Sequence, residues 1–282
     1  MPPNTQVEGP LPTFVIAGTM RSGTTALARW LGHHPEVFMA PRKELHHFDS
    51  SKNPPLHQYL QEFADWSGQP AVGEATPNYL YADHAIERLV ATVPDVRVVV
   101  SLREPVERAY SHYWARTSRA LEDRPFAEVV ADEQRHPVLE AGSGMGGPPA
   151  LLARGRYLDQ IQRALTHLPE DQLLAVLFDD VEQEPAQTYA RICTFIGVDP
   201  AMAPPDVGRP ANGYRRYRSE RLRQALRRLP GPAADLIGHL NSRAATYPPL
   251  DPILRRALQD SYEADNQALA RWLDRDLSSW NA

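Results

Sequence analysis

Residues 13–34 read TFVIAGTMRSGTTALARWLGHH, and this stretch decides the fold. Its apolar run at 14–17 is short enough to be a buried strand. A polar loop bounded by Gly18 and Gly23 follows, and from Thr24 onward apolar residues recur with helical spacing. Glycines let a backbone curl around an anion, and the N–H groups at a helix start point at it. Strand, loop and helix in this order therefore predict a phosphate cradle.

The loop has the spacing of a P-loop, Gly18-x-x-x-x-Gly23, with one departure from the NTPase pattern. Thr24 stands where an NTPase has the lysine that reaches the β- and γ-phosphates of its nucleotide. The positive charge lies inside the loop instead, as Arg21. This pattern favours a site for a phosphate-like group over a kinase or NTPase site. An ordinary strand–helix turn is the alternative.

Composition sets the broad class. The 282 residues are 42% hydrophobic and 23% charged with a net charge of −5, which is typical of one globular α/β domain and gives no nucleic-acid footprint. The single cysteine, Cys193, can form no intramolecular disulfide, which fits a reducing compartment. No run is apolar enough for a signal peptide or a membrane span, so we expect a cytoplasmic protein with no membrane partner. Within the single domain, 1–282, we expect a flexible N-terminus at 1–12 and a mobile Gly- and Pro-rich loop at 141–149.

A charged segment follows the first helix. Residues 42–49 read RKELHHFD, with two cations, two carboxylates and two imidazoles in a short polar stretch. Such a cluster can supply a general base and a cation beside a reacting group. A solvated loop explains the same composition, and both interpretations stay open on composition alone.

A second anchor lies at 96–102, where VRVVVSL reads as a strand buried on both faces. A Walker-B strand would end in a metal-binding Asp, but this one ends in Arg103, and Pro105 then starts a helix. Ser111 comes eight residues after Arg103. The planar fork of arginine suits phosphate. The alternatives are a salt bridge from Arg103 to Glu107 and a surface role for Ser111.

Two other function classes fit parts of the sequence. The strand at 173–180 ends in Asp179-Asp180, which could be a Walker-B pair that holds Mg²⁺ in a P-loop kinase or NTPase. The missing lysine at position 24 argues against that class. The third candidate is a non-catalytic nucleotide-binding module in which the cradle is only structural.

Several segments together resemble sulfotransferases that use 3′-phosphoadenosine 5′-phosphosulfate (PAPS), in the heparan-sulfate-type branch and its bacterial relatives. TMRSGTTAL at 19–27 resembles their 5′-phosphosulfate loop, and SLREPVERAYSHYW at 101–114 resembles their 3′-phosphate segment. Residues 43–48 match their Lys-Glu-x-x-x-Phe segment, and residues 74–79 match a Glu-x-Ser/Thr-Pro-x-Tyr segment on the acceptor side. Ala75 departs from the lysine of the animal heparan sulfate O-sulfotransferases, which disfavours a polyanionic glycan acceptor.

The resemblance implies an α/β fold, a P-loop-like three-layer sandwich with a central parallel sheet of about five strands and helices on both faces. It implies transfer of a sulfuryl group from PAPS to a hydroxyl of a carbohydrate or small natural product, with no metal. The implied cofactor-binding residues are Thr19, Arg21, Ser22, Gly23, Thr24, Thr25, Arg103, Ser111, Tyr157, Arg215 and Arg216. The implied catalytic residues are Glu44, Arg21, Lys43 and His46, and the implied substrate-binding residues are His46, His47, Phe48, Glu74, Asn78 and Tyr79.

Glu44 is the preferred general base over His46. It matches the glutamate that serves as base in the resembling enzymes, whereas Lys43-x-x-His46 echoes the histidine of cytosolic steroid and phenol sulfotransferases. Lys43 and Arg21 could keep Glu44 ionised. If the segment is extended, side chains alternate, so Glu44 and His46 share a face and His47 points away.

Overall fold

The computed structural model describes residues 9–137, 149–209, 215–217, 242–244 and 247–282. A parallel five-stranded sheet lies at its centre, in the order β2-β3-β1-β4-β5. The strands are β1 (Phe14–Gly18), β2 (Val37–Met39), β3 (Ala71–Ala75), β4 (Arg97–Leu102) and β5 (Leu173–Leu177). A separate antiparallel pair consists of β6 (Arg215–Tyr217) and β7 (Ser242–Ala244). The predicted parallel sheet of about five strands is confirmed.

Helices cover both faces of the sheet. They are α1 (Thr24–Gly32), α2 (Leu56–Leu60), α3 (Ala85–Thr92), α4 (Pro105–Ser118), α5 (Phe126–Arg135), α6 (Tyr157–Leu165), α7 (Phe178–Gln183), α8 (Pro185–Ile196) and α9 (Pro252–Leu273). None of the helices in the described ranges is both long enough and apolar enough to cross a bilayer.

Strand residues alternate between two apolar cores, as a sheet buried on both faces requires. Val98 and Val100 of β4 pack into the core under α3, α6 and the C-terminal end of α9. Val99 packs into the opposite core with α1 and α8. A third cluster joins α4, α5 and α9 beyond the sheet. The predicted three-layer sandwich is therefore confirmed.

The strand order places a crevice between β1 and β4. The chain leaves β1 toward β2 at one edge of the sheet and leaves β4 toward β5 at the other edge. Loops that diverge from neighbouring strands open a crevice at the carboxyl ends, where α/β sheets bind ligands. The loop at 19–23 and the turn at 103–104 flank this crevice.

Two helical segments end in 3₁₀ turns. Helix α2 is followed by the turn Gln61–Phe63. In the tail, α9 is followed by the turn Ser278–Asn281. Asp274 ends α9 in the left-handed conformation, at φ 50°. Residues 1–8 and 138–148, which hold most of the predicted flexible terminus and mobile loop, lie outside the described residues.

The start of α4 depends on one capping side chain. The carboxylate of Glu104 accepts hydrogen bonds from the backbone N–H groups of Val106 at 2.9 Å and Glu107 at 2.6 Å. We predict that Glu104→Ala lowers the free energy of unfolding by about 0.5–2 kcal/mol, because a helix N-cap is lost. Urea denaturation measures this. The control is Glu128→Ala in the first turn of α5, where the glutamate is exposed and caps nothing. An equal loss in both variants would contradict the capping role.

Candidate active site

The loop after β1 is fixed by buried hydrogen bonds to β4. Thr19 Oγ1 donates to the carbonyl oxygen of Ser101 at 2.9 Å and lies 2.7 Å from Ser22 Oγ. Ser101 Oγ in turn donates to the carbonyl oxygen of Ser22 at 2.6 Å. Thr19 and Ser22 are both buried. These two predicted cofactor residues therefore hold the shape of the loop, and their hydroxyls do not line the cleft.

Gly23 joins the loop to α1 in a conformation that favours glycine. Its φ is 79°, and a Cβ atom there would lie 2.7 Å from the ring of Phe178. Helix α1 has no side-chain cap and no acidic residue in its first turn. The start of α4, by contrast, is already occupied by the carboxylate of Glu104. Of these two helix starts beside the crevice, α1 is thus the one fit to receive an anion.

A cleft with a volume of about 470 Å³ runs from this helix start in both directions. Thr24, Thr25, Trp30 and Tyr247 contribute to its walls. Four cations and two carboxylates also line it, namely Arg21, Lys43, Arg103, Arg119, Glu44 and Glu182. Because the whole chain carries a net charge of −5, positive charge is concentrated here.

Arginine side chains crowd one end of the cleft. Arg21 Nε donates to Ser111 Oγ at 3.1 Å, and Ser111 Oγ lies 3.2 Å from the hydroxyl of Tyr247. Arg103 Nη1 donates to the carbonyl oxygen of Arg21 at 3.4 Å. Burial lowers the pKa of Arg21, and the charges of Arg119 and Arg103 lower it further. Three guanidinium groups thus repel one another, and an anion among them would relieve that repulsion.

The alternative partner of Arg103 is also present. Glu107 lies 3.6 Å from the Arg103 guanidinium, but it contacts Arg255 as well. The ring of Phe178 lies 5.0 Å from the guanidinium carbon of Arg103. Arg103 therefore keeps a weak intramolecular ion pair and still faces the cleft.

Two groups of predicted cofactor residues lie elsewhere. Tyr157, predicted to contact the cofactor, is buried, and its hydroxyl donates to the carbonyl oxygen of Arg103 at 2.7 Å. It stands behind Arg103 and braces the turn, which corrects the prediction of direct contact. Arg215 and Arg216 belong to β6, and their side chains lie outside the described part of the chain.

The other end of the cleft holds a chain of ionised groups. Lys43 Nζ donates to Glu44 Oε1 at 3.0 Å, and His46 Nε2 lies 3.6 Å from Glu44 Oε2. His46 Nδ1 lies 2.8 Å from Asp49 Oδ2, which also accepts from Asn78 Nδ2 at 2.6 Å. The interaction with His46 outweighs burial and, with the charge of Lys43, lowers the pKa of Glu44 to about 2. Glu44 is therefore ionised at neutral pH.

His46 is the protonated member of this chain. Burial alone would lower its pKa, but the hydrogen bond to Asp49 and the contact with Glu44 raise the pKa of His46 to about 9. An imidazolium has no free lone pair to accept a proton. At neutral pH this geometry favours Glu44 over His46 as the base.

The segment 43–49 is not extended, although its side chains point as predicted. Glu44 and His46 have left-handed backbones, with φ of 64° and 53°. The backbone N–H of Glu44 donates to the carbonyl oxygen of Ala75, and the N–H of Leu45 donates to Thr76 Oγ1, both at 3.0 Å. His47 turns into the core and stacks on Tyr59 at a ring distance of 4.7 Å. Anchoring on the end of β3, rather than strand alternation, sets these directions.

Five of the six predicted substrate residues lie in the core behind this segment. They are His47, Phe48, Glu74, Asn78 and Tyr79. Glu74 is fully buried and accepts from Tyr59 at 3.2 Å and from Thr76 at 2.6 Å, and burial raises the pKa of Glu74 to about 7. The hydroxyl of Tyr79 accepts from the N–H of His47 at 3.1 Å. These residues support the segment 43–49 from below, which corrects the prediction that they contact the acceptor.

Sequence reasoning missed Asp49, Ser101, Arg119 and Tyr247. Asp49 follows His46 by three residues, so its spacing could have marked it as the partner of the imidazole. Ser101 is the one hydroxyl in the run VRVVVSL, which could have marked it as an anchor. Arg119 and Tyr247 reach the cleft through tertiary packing, and no local pattern identifies them.

The carboxylates of the kinase alternative are engaged elsewhere. Asp179 and Asp180 lie in α7, not at the end of a strand. Asp180 pairs with Arg275 through two hydrogen bonds of 2.8 and 2.9 Å, and Asp179 accepts from the indole N–H of Trp280 at 3.2 Å. Both therefore tie α7 to the C-terminal segment.

Comparison with known proteins agrees with this geometry. The family model of the sulfotransferase domain matches residues 11–208, and the chain belongs to that family. The bifunctional heparan sulfate N-deacetylase/N-sulfotransferase 4 of Mus musculus is 26% identical over 96% of this chain and 31% of its own length. The heparan sulfate glucosamine 3-O-sulfotransferase 3B1 of Mus musculus is 30% identical over 67% of this chain and 46% of its own length.

Solved structures share the fold. A sulfotransferase from Alicyclobacillus acidocaldarius superposes with a TM-score of 0.74 at 24% identity, over 96% of this chain and 99% of that one.

The chain spans only 25% and 31% of the length of the first curated relatives that it matches. The predicted family and fold are thus confirmed.

The ion pairs of His46 predict a pH-dependent stability. Because its pKa is raised from 6.5 to about 9, the imidazolium stabilises the folded state fully below pH 6.5, and this is lost as the pH rises through about 9. The shift corresponds to a contribution on the order of 3 kcal/mol. We expect His46→Gln to be less stable than the wild type near pH 6 and closer to it near pH 10. Denaturation at both values measures this, and a difference that grows with pH would contradict the assignment.

Proposed function

We propose that the protein is a sulfotransferase that moves a sulfuryl group from PAPS to a hydroxyl of a carbohydrate or small natural product. One observation carries the proposal: arginines, an uncapped helix start and an ionised carboxylate line the same cleft. A donor with two separate anionic groups fits the arginine end and the start of α1. An acceptor hydroxyl then belongs beside Glu44.

The donor set fits PAPS residue by residue. Arg103, Arg119 and Ser111 would hold the 3′-phosphate through charge-assisted hydrogen bonds. The amides at the start of α1, with Thr24 and Thr25, would hold the 5′-phosphosulfate. PAPS supplies the activated sulfuryl group when bound.

Arg21 connects these two halves. In the structure it rests on Ser111 rather than at the start of α1. We propose that it neutralises charge at the junction of the two anionic groups, with Lys43 from the opposite side. A transfer of this kind needs positioning and charge stabilisation more than covalent chemistry.

Glu44 would take the proton of the acceptor hydroxyl. A pKa of about 2 makes it a weak base toward a free alcohol. As the oxygen bonds to sulfur, however, its proton becomes strongly acidic, so a weak base that is always ionised suffices late in the reaction. The His46–Asp49 pair fixes the carboxylate in place.

A thermal-shift screen tests the class of ligand. 3′-Phosphoadenosine 5′-phosphate (PAP) should raise the melting temperature, since it binds the folded state alone. Stabilisation by Mg-ATP and not by PAP would favour the kinase alternative. Stabilisation by neither would favour a structural cradle. An acceptor screen with labelled PAPS then identifies the substrate.

The 3′-phosphate gives a sharper test of the arginine end. A charged hydrogen bond is worth roughly 1.5–3 kcal/mol. Arg103→Ala should therefore weaken PAP binding by about 10- to 150-fold, and Arg119→Ala should weaken it in the same direction. Both variants should bind adenosine 5′-phosphosulfate, which lacks the 3′-phosphate, about as well as the wild type. Arg135→Ala, an exposed arginine of α5, is the matched control. Equal losses for both nucleotides would show that neither arginine reads the 3′-phosphate.

Turnover tests the base. Glu44→Gln should lose about 10²- to 10⁴-fold in rate, because a general base is removed, while PAP affinity stays nearly unchanged. His46→Ala should lose less, because it positions Glu44 and does not take the proton. Rates are measured with an acceptor from the screen, and PAP affinity by calorimetry. An active Glu44→Gln beside an inactive His46→Ala that still binds PAP would reverse the two roles.

A further inference from the structure

A group of buried basic side chains lies beside Ser111 on α4. Arg108 and His112 are one helical turn apart and so share a face of α4. Arg154 joins them from the 3₁₀ turn Ala153–Gly155. Their exposed fractions are 0%, 2% and 3%. None of them has a role in the donor site described above.

Five nitrogen atoms of this group have no hydrogen-bond partner in the structure. They are Nε and Nη1 of Arg108, Nε of Arg154 and both ring nitrogens of His112. Arg108 keeps one bond, from Nη2 to the carbonyl oxygen of Leu151, and Arg154 stacks on the ring of Tyr81 at 4.1 Å. Within the described ranges, neither arginine forms an ion pair with a carboxylate.

The three side chains face one another. Burial lowers the pKa of His112 far below its usual value, and the charges of Arg108 and Arg154 lower it further. Burial and then the charge of Arg108 lower the pKa of Arg154 to about 10. Tyr81, Glu133 and Asp49 oppose this effect; Oε1 of Glu133 accepts from the backbone N–H groups of Leu152 and Ala153, and its Oε2 is buried without a partner. Two guanidinium groups, a neutral imidazole and one carboxylate thus share one low-dielectric space.

The facing residues belong to the support of the catalytic segment. Asp49 Oδ2 is taken by His46 and Asn78, but Asp49 Oδ1 and Asn78 Oδ1 have no partner. The charge of Asp49 acts on Arg154, which places the two within electrostatic reach. At least one unpartnered donor group on the α4 side thus lies within electrostatic reach of the Asp49 carboxylate behind His46.

Such an arrangement is costly without an occupant. Buried donors and acceptors that lack a hydrogen-bond partner destabilise a protein, because they have given up their bonds to water and formed no others. An oxyanion suits the free guanidinium edges, which match two oxygens in a fork. Asp49 Oδ1 and Asn78 Oδ1 are acceptors without a donor, so hydroxyl groups suit them.

We propose that Arg108, His112 and Arg154 form a binding pocket for a single oxyanion, a carboxylate or a sulfate. The use of this pocket rests on the proposed function. His46 contacts Asp49 through one ring nitrogen and Glu44 through the other, so only the imidazole separates the two carboxylates. An acidic group of the acceptor held here would place a neighbouring hydroxyl near the base. A free inorganic anion is the other source of the same chemistry.

Saturating PAP isolates this pocket from the donor site. We would titrate the full chain with sodium sulfate, sodium acetate, D-glucuronate or neutral D-glucose at low-millimolar concentration and constant ionic strength, and follow the melting temperature. We expect a saturable rise with at least one oxyanion and none with D-glucose. A response to glucuronate beyond that to acetate and sulfate indicates an acidic acceptor. A response to the small anions alone indicates a free anion.

Two variants locate the binding. Arg154→Gln should weaken the oxyanion by about 10-fold or more, since a charge-assisted bond is lost. His112→Leu removes no bond within the protein, so it should fold at least as stably as the wild type without anion, yet bind the anion several-fold less tightly. The control is Arg135→Gln. If Arg154→Gln does not fold, the anion affinity of His112→Leu decides whether the oxyanion binds in this pocket.

Three outcomes are decisive. No saturable rise with any oxyanion, in protein that binds PAP, would leave the space to water and overturn the pocket. A rise that both variants keep in full would place the anion elsewhere and overturn it as well. Failure to bind PAP at all would instead count against the proposed function.

Discussion

The site depends on a short bridge of buried hydrogen bonds between the ends of β1 and β4. Thr19, Ser22 and Ser101 exchange three bonds of 2.6–2.9 Å that are shielded from water. Bonds in a low-dielectric interior are strengthened, and an unmade one is costly. The bridge therefore fixes the loop before any ligand arrives. It also sets where α1 begins and where Arg103 leaves the sheet, and both lie beside the cleft.

The fold and several residues that line the cleft could be predicted because their signals are local. The apolar run before Gly18 and the run VRVVVSL each mark a buried strand, and Gly23 marks a backbone that only glycine adopts readily. Arg103 is found from its position at a strand end. The acceptor side was predicted less well, because a polar residue in a motif can face either a ligand or the core. Glu74 and Tyr79 match the motif, yet they bond to Thr76 and His47 inside the protein.

The acidic and basic groups of the catalytic segment illustrate a related limit. A sequence shows that Glu44, His46 and Asp49 are close along the chain, but not which of them holds the proton. That depends on contacts: Asp49 is buried and bonded to Asn78, so it draws the proton onto His46, and His46 with Lys43 then keeps Glu44 ionised. The pairing pushes the pKa values of two neighbouring groups far apart, which is how a shared environment assigns different roles.

Helix α4 links the two halves of the site. Ser111 faces the donor cleft through Arg21 and Tyr247, while the next residue, His112, faces the buried group of Arg108 and Arg154. The register of one helix thus serves both sides, and the Glu104 cap fixes that register at its start. A one-residue shift would rotate Ser111 out of the cleft by about 100°. The same shift would place the ring of Tyr110 or the imidazole of His112 where Ser111 now lies. The packing of α4 against α5 and α9 therefore constrains the positions of Ser111 and His112 together.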